Sequence, residues 1–210
     1  MVEGPAGVSD VMMSRAELGS VELPVYAGIP LERISLIVSD ALAEEALAAL
    51  LAADAIGFDT ESKPTFLKGE VSTGPHLVQL ATDSQAYLFP ISRLYDPRAL
   101  KVVLESPKVK KIGFGLGNDH SVLKSRLGIA AHNVLDLGEV LRGPEHRGTV
   151  GAKVAVAHFF GQKLQKSKKI GTSNWSNTRL NERQLLYAAN DAHVALVLYR
   201  AWLRRQLPIA

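Results

Sequence analysis

The sequence predicts a mixed α/β sheet flanked by helices, on two observations. Strand-like apolar runs crowd the first half, and two of them are joined by a two-residue turn as a hairpin. In the second half such runs alternate with helical segments. The order along the chain is β-α-β-β-β-α-β-α-β-α-α, which implies antiparallel pairing early, parallel pairing late and helices on the faces. At 210 residues, with no internal repeat, the chain suits one domain with a short extension. Residues 1–30 are expected to be that extension and residues 31–210 the domain.

Each element has a local reason. Residues 1–30 carry Gly and Pro without sustained periodicity; a short helix is expected near SDVMMSRAEL. ISLIV, from Ile34, reads as the first strand. SDALAEEALAALLAA reads as a helix, rich in Ala and Leu and capped by Ser39 or Asp40. AIGFDTE is a strand, followed by a polar loop. HLVQLAT and QAYLFPI form the hairpin through Asp83-Ser84. DPRALKVVLES opens a helix with Asp96 and Pro97. KVKKIGFG is a strand, and NDHSVLKSRLG a helix closed by Gly128. NVLDL is a short strand, and VGAKVAVAHFFG a helix ending at Gly161. A basic loop follows. The last helix opens at Asn181, with Gln184 completing a capping box, and runs to about Leu203.

Composition narrows the function classes. The chain has no Cys, which excludes disulfides, thiolate metal sites and cysteine nucleophiles. No apolar run is long enough for a membrane span, and the N-terminus lacks the basic start and apolar core of a secretory signal. A soluble, cytoplasmic protein is expected. The net charge of +3 is unevenly spread: residues 1–50 hold two arginines against eight acids, and the remainder is strongly basic. A basic body points mildly to polyanions such as nucleic acid.

The acids carry the sharper signal. Asp59 and Glu61 lie two apart on a strand, so they leave the same face, while Phe58 and Thr60 take the other. Like charges side by side against an apolar run need a compensating cation, either Lys63 or a bound metal. Otherwise the strand end faces solvent. Asp119 opens a helix directly after a strand, where open α/β sheets place their sites; it also suits a helix N-terminus on dipole grounds. Asp191 lies within an apolar helix among Ala188, Ala189 and Ala192, which permit close approach of another element. Tyr187 stands one turn before it on the same face.

FDTE, KKIGFGLGNDHSVL and YAANDAHVAL together resemble, in order and spacing, the three motifs of the DEDD 3′–5′ exonucleases. The Tyr-x-x-x-Asp of the third is similar to the tyrosine subclass, that of ribonuclease D and the Werner syndrome helicase exonuclease domain. The histidine subclass would want His where Leu186 stands. The resemblance spans roughly residues 34–203. It implies a ribonuclease H-like fold and hydrolysis of phosphodiester bonds at DNA or RNA 3′ ends, releasing nucleoside 5′-monophosphates. It further implies two divalent ions, Mg²⁺ or Mn²⁺, with oxygen ligands. Asp59, Glu61 and Asp191 would lie near one ion, Asp59 would be shared with the second, and Asp119 would act mainly through water. Tyr187 would orient the attacking water.

The expected substrate path is less defined. Lys163, Lys166, Lys168 and Lys169 form a basic loop suited to phosphates or simply to solvent. Leu77, next to His76, is a candidate wedge against the terminal base. Trp175 suits base stacking, though its setting favours packing, and Asn118 suits a helix cap. Ribonuclease D carries additional C-terminal helical domains, whereas this sequence stops at Ala210, which tilts the expectation toward DNA. Two rivals remain. GFGLGN with Asp136 mimics a dinucleotide-binding fingerprint but has Asn118 where the third glycine belongs. A catalytically silent nucleic-acid-binding module would have the same fold, but all four acids and the tyrosine are present.

Overall fold

A computed structural model describes residues 15–67, 69–94, 96–142 and 148–206. Six strands form one sheet: β1 (Ile34–Leu36), β2 (Ala55–Glu61), β3 (Leu77–Ala81), β4 (Ala86–Pro90), β5 (Lys110–Gly113) and β6 (Val134–Asp136). Their spatial order is β1-β4-β3-β2-β5-β6. The β2-β3 and β3-β4 pairs are antiparallel; β1-β4, β2-β5 and β5-β6 are parallel. This is the expected mixed sheet, with the acid-bearing strand near its middle.

The helices are α1 (Arg15–Ser20), α2 (Asp40–Ala52), α3 (Arg98–Glu105), α4 (Asp119–Leu127), α5 (Leu137–Val140), α6 (Ala152–Phe160), α7 (Lys168–Gly171) and α8 (Glu182–Gln206). Strand alternation decides what each face buries. Ile56 and Phe58 of β2 enter a core with Ala46 and Leu50 of α2, Leu100 and Leu104 of α3, and Leu123 of α4. The opposite face of the sheet receives α8, through Ala188, Ala189 and Ala192, and then α6, through Ala155 and Val156. Helices thus cover both sides of one sheet. No helix among the described residues is long and apolar enough to cross a membrane.

The local signals hold at most boundaries. The Ser39 hydroxyl, not Asp40, caps α2 by accepting from the Leu42 N–H at 3.3 Å. Asp96 accepts from the Arg98 N–H at 2.9 Å. Asn181 and Gln184 close the reciprocal capping box ahead of α8, each bond 3.1 Å. Gly128 and Gly161 end α4 and α6 with φ of 64° and 61°, a conformation that favours glycine. The helices α5 and α7, one turn each, were not anticipated. They carry no apolar period, because four residues are too few to show one. Of the helix expected near SDVMMSRAEL, residues 9–14 lie outside the described residues, and α1 covers the rest.

The end of the leading segment is attached to the body. The Ile29 N–H donates to Asn190 Oδ1 on α8 at 2.9 Å, and Ile29 is buried. Tyr26 stacks on Phe160 of α6. Val25 and Lys163 form a short parallel bridge, with Tyr26 N–H bonding Lys163 O at 3.0 Å and Lys163 N–H bonding Pro24 O at 2.8 Å.

Candidate active site

Three elements converge at one end of the sheet. Asp59 and Glu61 finish β2, and Asp119 begins α4 just beyond β5, which runs parallel to β2. Both strands therefore deliver their acids to the same edge. Asp191 comes from the long helix across the sheet. A carboxylate oxygen each from Asp59, Glu61 and Asp191 lies within 4.8 Å of the other two.

Close approach of α8 makes this possible. A Cβ on Gly57 would fall 1.9 Å from the Ala192 carbonyl oxygen, so strand and helix touch backbone to backbone. Gly57 precedes Asp59 by two residues, and Ala192 follows Asp191 directly. The three alanines expected to permit close approach are fully buried. Gly171 does a similar service for Tyr187: a Cβ there would lie 2.6 Å from the tyrosine hydroxyl.

The electrostatics are those of an undercompensated acid cluster. Burial, then the charge on Asp191, pushes the Asp59 carboxyl well above its usual range. Glu61 is pushed up to about 9, by burial first and then by Asp59 and Asp191. Asp191 and Asp119 are raised too, each chiefly by burial. The compensating cation is not the neighbouring Lys63, which is not among the chief charges acting on Asp59, Glu61 or Asp191. It is Lys166, with Nζ 2.9 Å from Asp191 Oδ2. Burial works against the charge on Lys166, but Asp191, Asp59 and Glu61 together hold its affinity for the proton above the ordinary lysine value.

Asp119 stands apart from the other three. Its carboxylate accepts from the Thr60 hydroxyl, on the face of β2 that the other two acids do not use. The Tyr187 hydroxyl lies beside Asp191 and works against the rise in that carboxyl's proton affinity, while burial raises its own.

The expected substrate contacts fare unevenly. Leu77 pairs with Glu61 in the sheet, but it is fully buried under α8 with Ala188 and Ala192. It has no surface to offer a base, because the helix that brings Asp191 covers it. The exposed apolar side chains of that region are instead Phe66, Leu67 and Val71. Trp175 is a packing residue, 2% exposed, with Nε1–H bonded to Gly171 O at 3.1 Å. Asn118 takes the cap position of α4 without a side-chain capping bond. Lys163, Lys168 and Lys169 are exposed, whereas Lys166 turns in to the acids. The separate place of Lys166 was missed; its only sequence signal is its membership of the basic loop. Asp136 braces the turn after β5, accepting from Leu116 N–H and Gly138 N–H, each at 2.9 Å, so its carboxylate is occupied with the backbone rather than with a ribose.

A family model described as 3′–5′ exonuclease matches residues 34–207, nearly the whole described body. The chain belongs to the 3′–5′ exonuclease family. The bifunctional 3′–5′ exonuclease/ATP-dependent helicase WRN of Mus musculus is 34% identical over 161 residues, which cover 76% of this chain and 12% of that protein. A 3′–5′ exonuclease of Arabidopsis thaliana is 27% identical over 150 residues, covering 69% of this chain and 51% of the relative. The chain thus spans about half or less of these relatives' length. Among solved structures, the Nibbler EXO domain of Aedes aegypti superposes with a TM-score of 0.70 at 26% identity, covering 84% of this chain and 90% of that one. RNase D of Escherichia coli gives the same TM-score at 22% identity, covering 82% of this chain and 45% of that one, and supports the fold. The exonuclease fold is ribonuclease H-like, as the motifs implied, and the family membership displaces the dinucleotide-binding reading.

Proposed function

We propose that this chain is an active, divalent-metal-dependent 3′–5′ exonuclease of the tyrosine subclass that releases nucleoside 5′-monophosphates from nucleic acid 3′ ends. One observation carries the reading: three carboxylates from two distant segments meet within 4.8 Å, with Tyr187 one helical turn from the third.

The donor set fits hard cations. Every candidate ligand atom is a carboxylate oxygen, the type preferred by Mg²⁺ and Mn²⁺. Like charges at this spacing, partly buried, favour occupation by a cation over three free anions. Gln79, paired with Asp59 in the sheet, is fully buried, and its amide atoms have no hydrogen-bond partner, so polar capacity beside Asp59 is in reserve. Asp59, Glu61 and Asp191 would hold one ion; Asp59 and, through water, Asp119 would serve a second. When bound, such ions activate water and stabilise the developing charge on the phosphate and the leaving oxygen.

The protein groups have separate tasks. Asp59 and Glu61 are fixed by β2, so their spacing does not depend on a loop. Thr60 orients Asp119 by its hydrogen bond. Tyr187 stays protonated at working pH, since its affinity for the proton is raised, and so it can donate a hydrogen bond to the attacking water. That water bonds to phosphorus, and the O3′ of the preceding nucleotide departs and takes up a proton. Lys163, Lys168 and Lys169 are free to meet phosphates along the strand.

The test uses end-labelled single-stranded DNA and RNA of matched sequence with Mg²⁺ or Mn²⁺, against an EDTA control. A metal-dependent ladder shortening from the 3′ end is expected, and the faster polymer identifies the substrate class. Tyr187→Phe should lower turnover with little change in substrate binding. Metal-independent cleavage would sink the metal-dependent reading, and no cleavage of either polymer would sink the proposal and leave a binding module of the same fold.

A further inference from the structure

Lys166 is the one lysine of the basic loop that enters the acid cluster. Its Nζ lies 2.9 Å from Asp191 Oδ2 and 5.8 Å from the centre of the Tyr187 ring. The Asp191 side chain is 4% exposed and that of Lys166 30%. A surface lysine that wandered into an ion pair would be worth little. Here the pair is largely withdrawn from water, and the lysine is also attracted by Asp59 and Glu61.

The backbone beneath it is held on both sides. Leu164 is buried, and Lys163 is bridged to Pro24 and Tyr26 of the leading segment. Ser167 accepts two backbone bonds from Ile170 and Gly171, at 3.1 and 3.0 Å. The Lys153 ammonium reaches the Lys166 carbonyl at 3.4 Å. The loop is built to hold this side chain where it is.

We propose that Lys166 is a built-in counter-cation for the carboxylate cluster, holding the acids together before divalent ions arrive and competing with those ions for Asp191. The inference rests on the metal-dependent reading above. A single ammonium offsets one of three clustered carboxylates, so it leaves the cluster able to attract stronger cations. Its stem is flexible and partly exposed, so it can withdraw toward solvent when Asp191 turns to a metal. Lys166 is a positioning residue on this account, acting through Asp191.

The experiment is calorimetric titration of Mn²⁺ into the intact protein, Lys166→Met and Lys166→Arg near neutral pH, with thermal melts of all three in EDTA. Lys166→Met should bind Mn²⁺ more tightly, by at least roughly tenfold, because the competing charge is gone. The same variant should melt lower in EDTA, and Lys166→Arg should stay close to the intact protein in both readouts. Should Lys166→Met fail to fold without metal, Lys166→Gln keeps a donor for Asp191 and must show the same tightening. A merely structural lysine predicts lower melting with unchanged Mn²⁺ affinity, and that outcome overturns the inference alone. Absence of Mn²⁺ binding by the intact protein would overturn both the inference and the metal-dependent reading.

Discussion

Helix α8 makes charged contacts near both ends of β2, and they are built on opposite principles. At the Arg200 end, one cation faces two acids. Its guanidinium grips Asp54 with two bonds of 2.7 and 2.6 Å and reaches Asp83 of the hairpin turn at 3.2 and 3.1 Å. These bonds hold Asp54 below the usual carboxylate range. At the Asp191 end, three acids share one lysine, and each is raised. The first place ties the helix to the sheet in the protein as it stands. The second is left short of positive charge, as the proposed metal binding would require. Stability is thus assigned to one end of β2 and the proposed function to the other.

The largest expected effect removes a proposed metal ligand. Asp59→Asn should reduce exonuclease activity below detection, yet raise the melting temperature in EDTA, because a neutral amide replaces an acid that burial and Asp191 disfavour as an anion. Retained activity in a clean preparation, or a lower melting point, would break the contrast. Gly57→Val comes next. Its side chain must displace the Ala192 backbone, a clash that costs on the order of 1–3 kcal/mol or more. Chemical denaturation would measure that loss, and Mn²⁺ affinity should fall with it as α8 is pushed outward.

Acidity separates the two ends further. Glu61 has an ordinary value of 4.5 and is raised to about 9 in the fold. Between those values the metal-free native state keeps a proton that the unfolded chain has lost, so stability falls as pH rises through the window. Mn²⁺ holds its ligands deprotonated and should flatten the slope. Asp54 works in the other direction: its contribution is present above its ordinary value of 3.8 and is lost only as pH falls further. Melts in EDTA and in Mn²⁺, run from below pH 3.8 up to about 9, check both signs. The smallest effect belongs to Arg200→Ala. Asp54 and Asp83 remain 75% and 60% exposed, which limits the loss to about 1 kcal/mol. Metal affinity should be unchanged, and a shift there would show that the two ends are coupled.

Much of this was legible in the amino-acid order. All six strands follow from apolar runs and turn residues, and the five long helices from their caps. The acid cluster was legible through the resemblance of its three motifs to the DEDD exonucleases; the local settings of Asp59, Glu61 and Asp191 alone left a solvent-facing strand end and a wet helix face open. Tertiary contacts hid the rest. Lys63 and Lys166 are indistinguishable by composition, and only folding decides which reaches the acids. Leu77 carries the right pattern for an exposed strand start until α8 is laid over it. Thr60 reveals no tie to Asp119 until β2 and β5 are paired. The helices α5 and α7 are too short to leave a periodic trace.

The contact between Gly57 and Ala192 has a consequence for anyone wishing to transplant this chemistry. The acids are conspicuous and easily copied onto another sheet-and-helix scaffold. The missing side chain at residue 57 is the part a copyist would overlook. With an ordinary residue there, the host helix would ride higher on its sheet and carry the third carboxylate out of reach of the other two. The minimal portable unit is therefore the acids together with that glycine, since the spacing of the site is recorded in an absence.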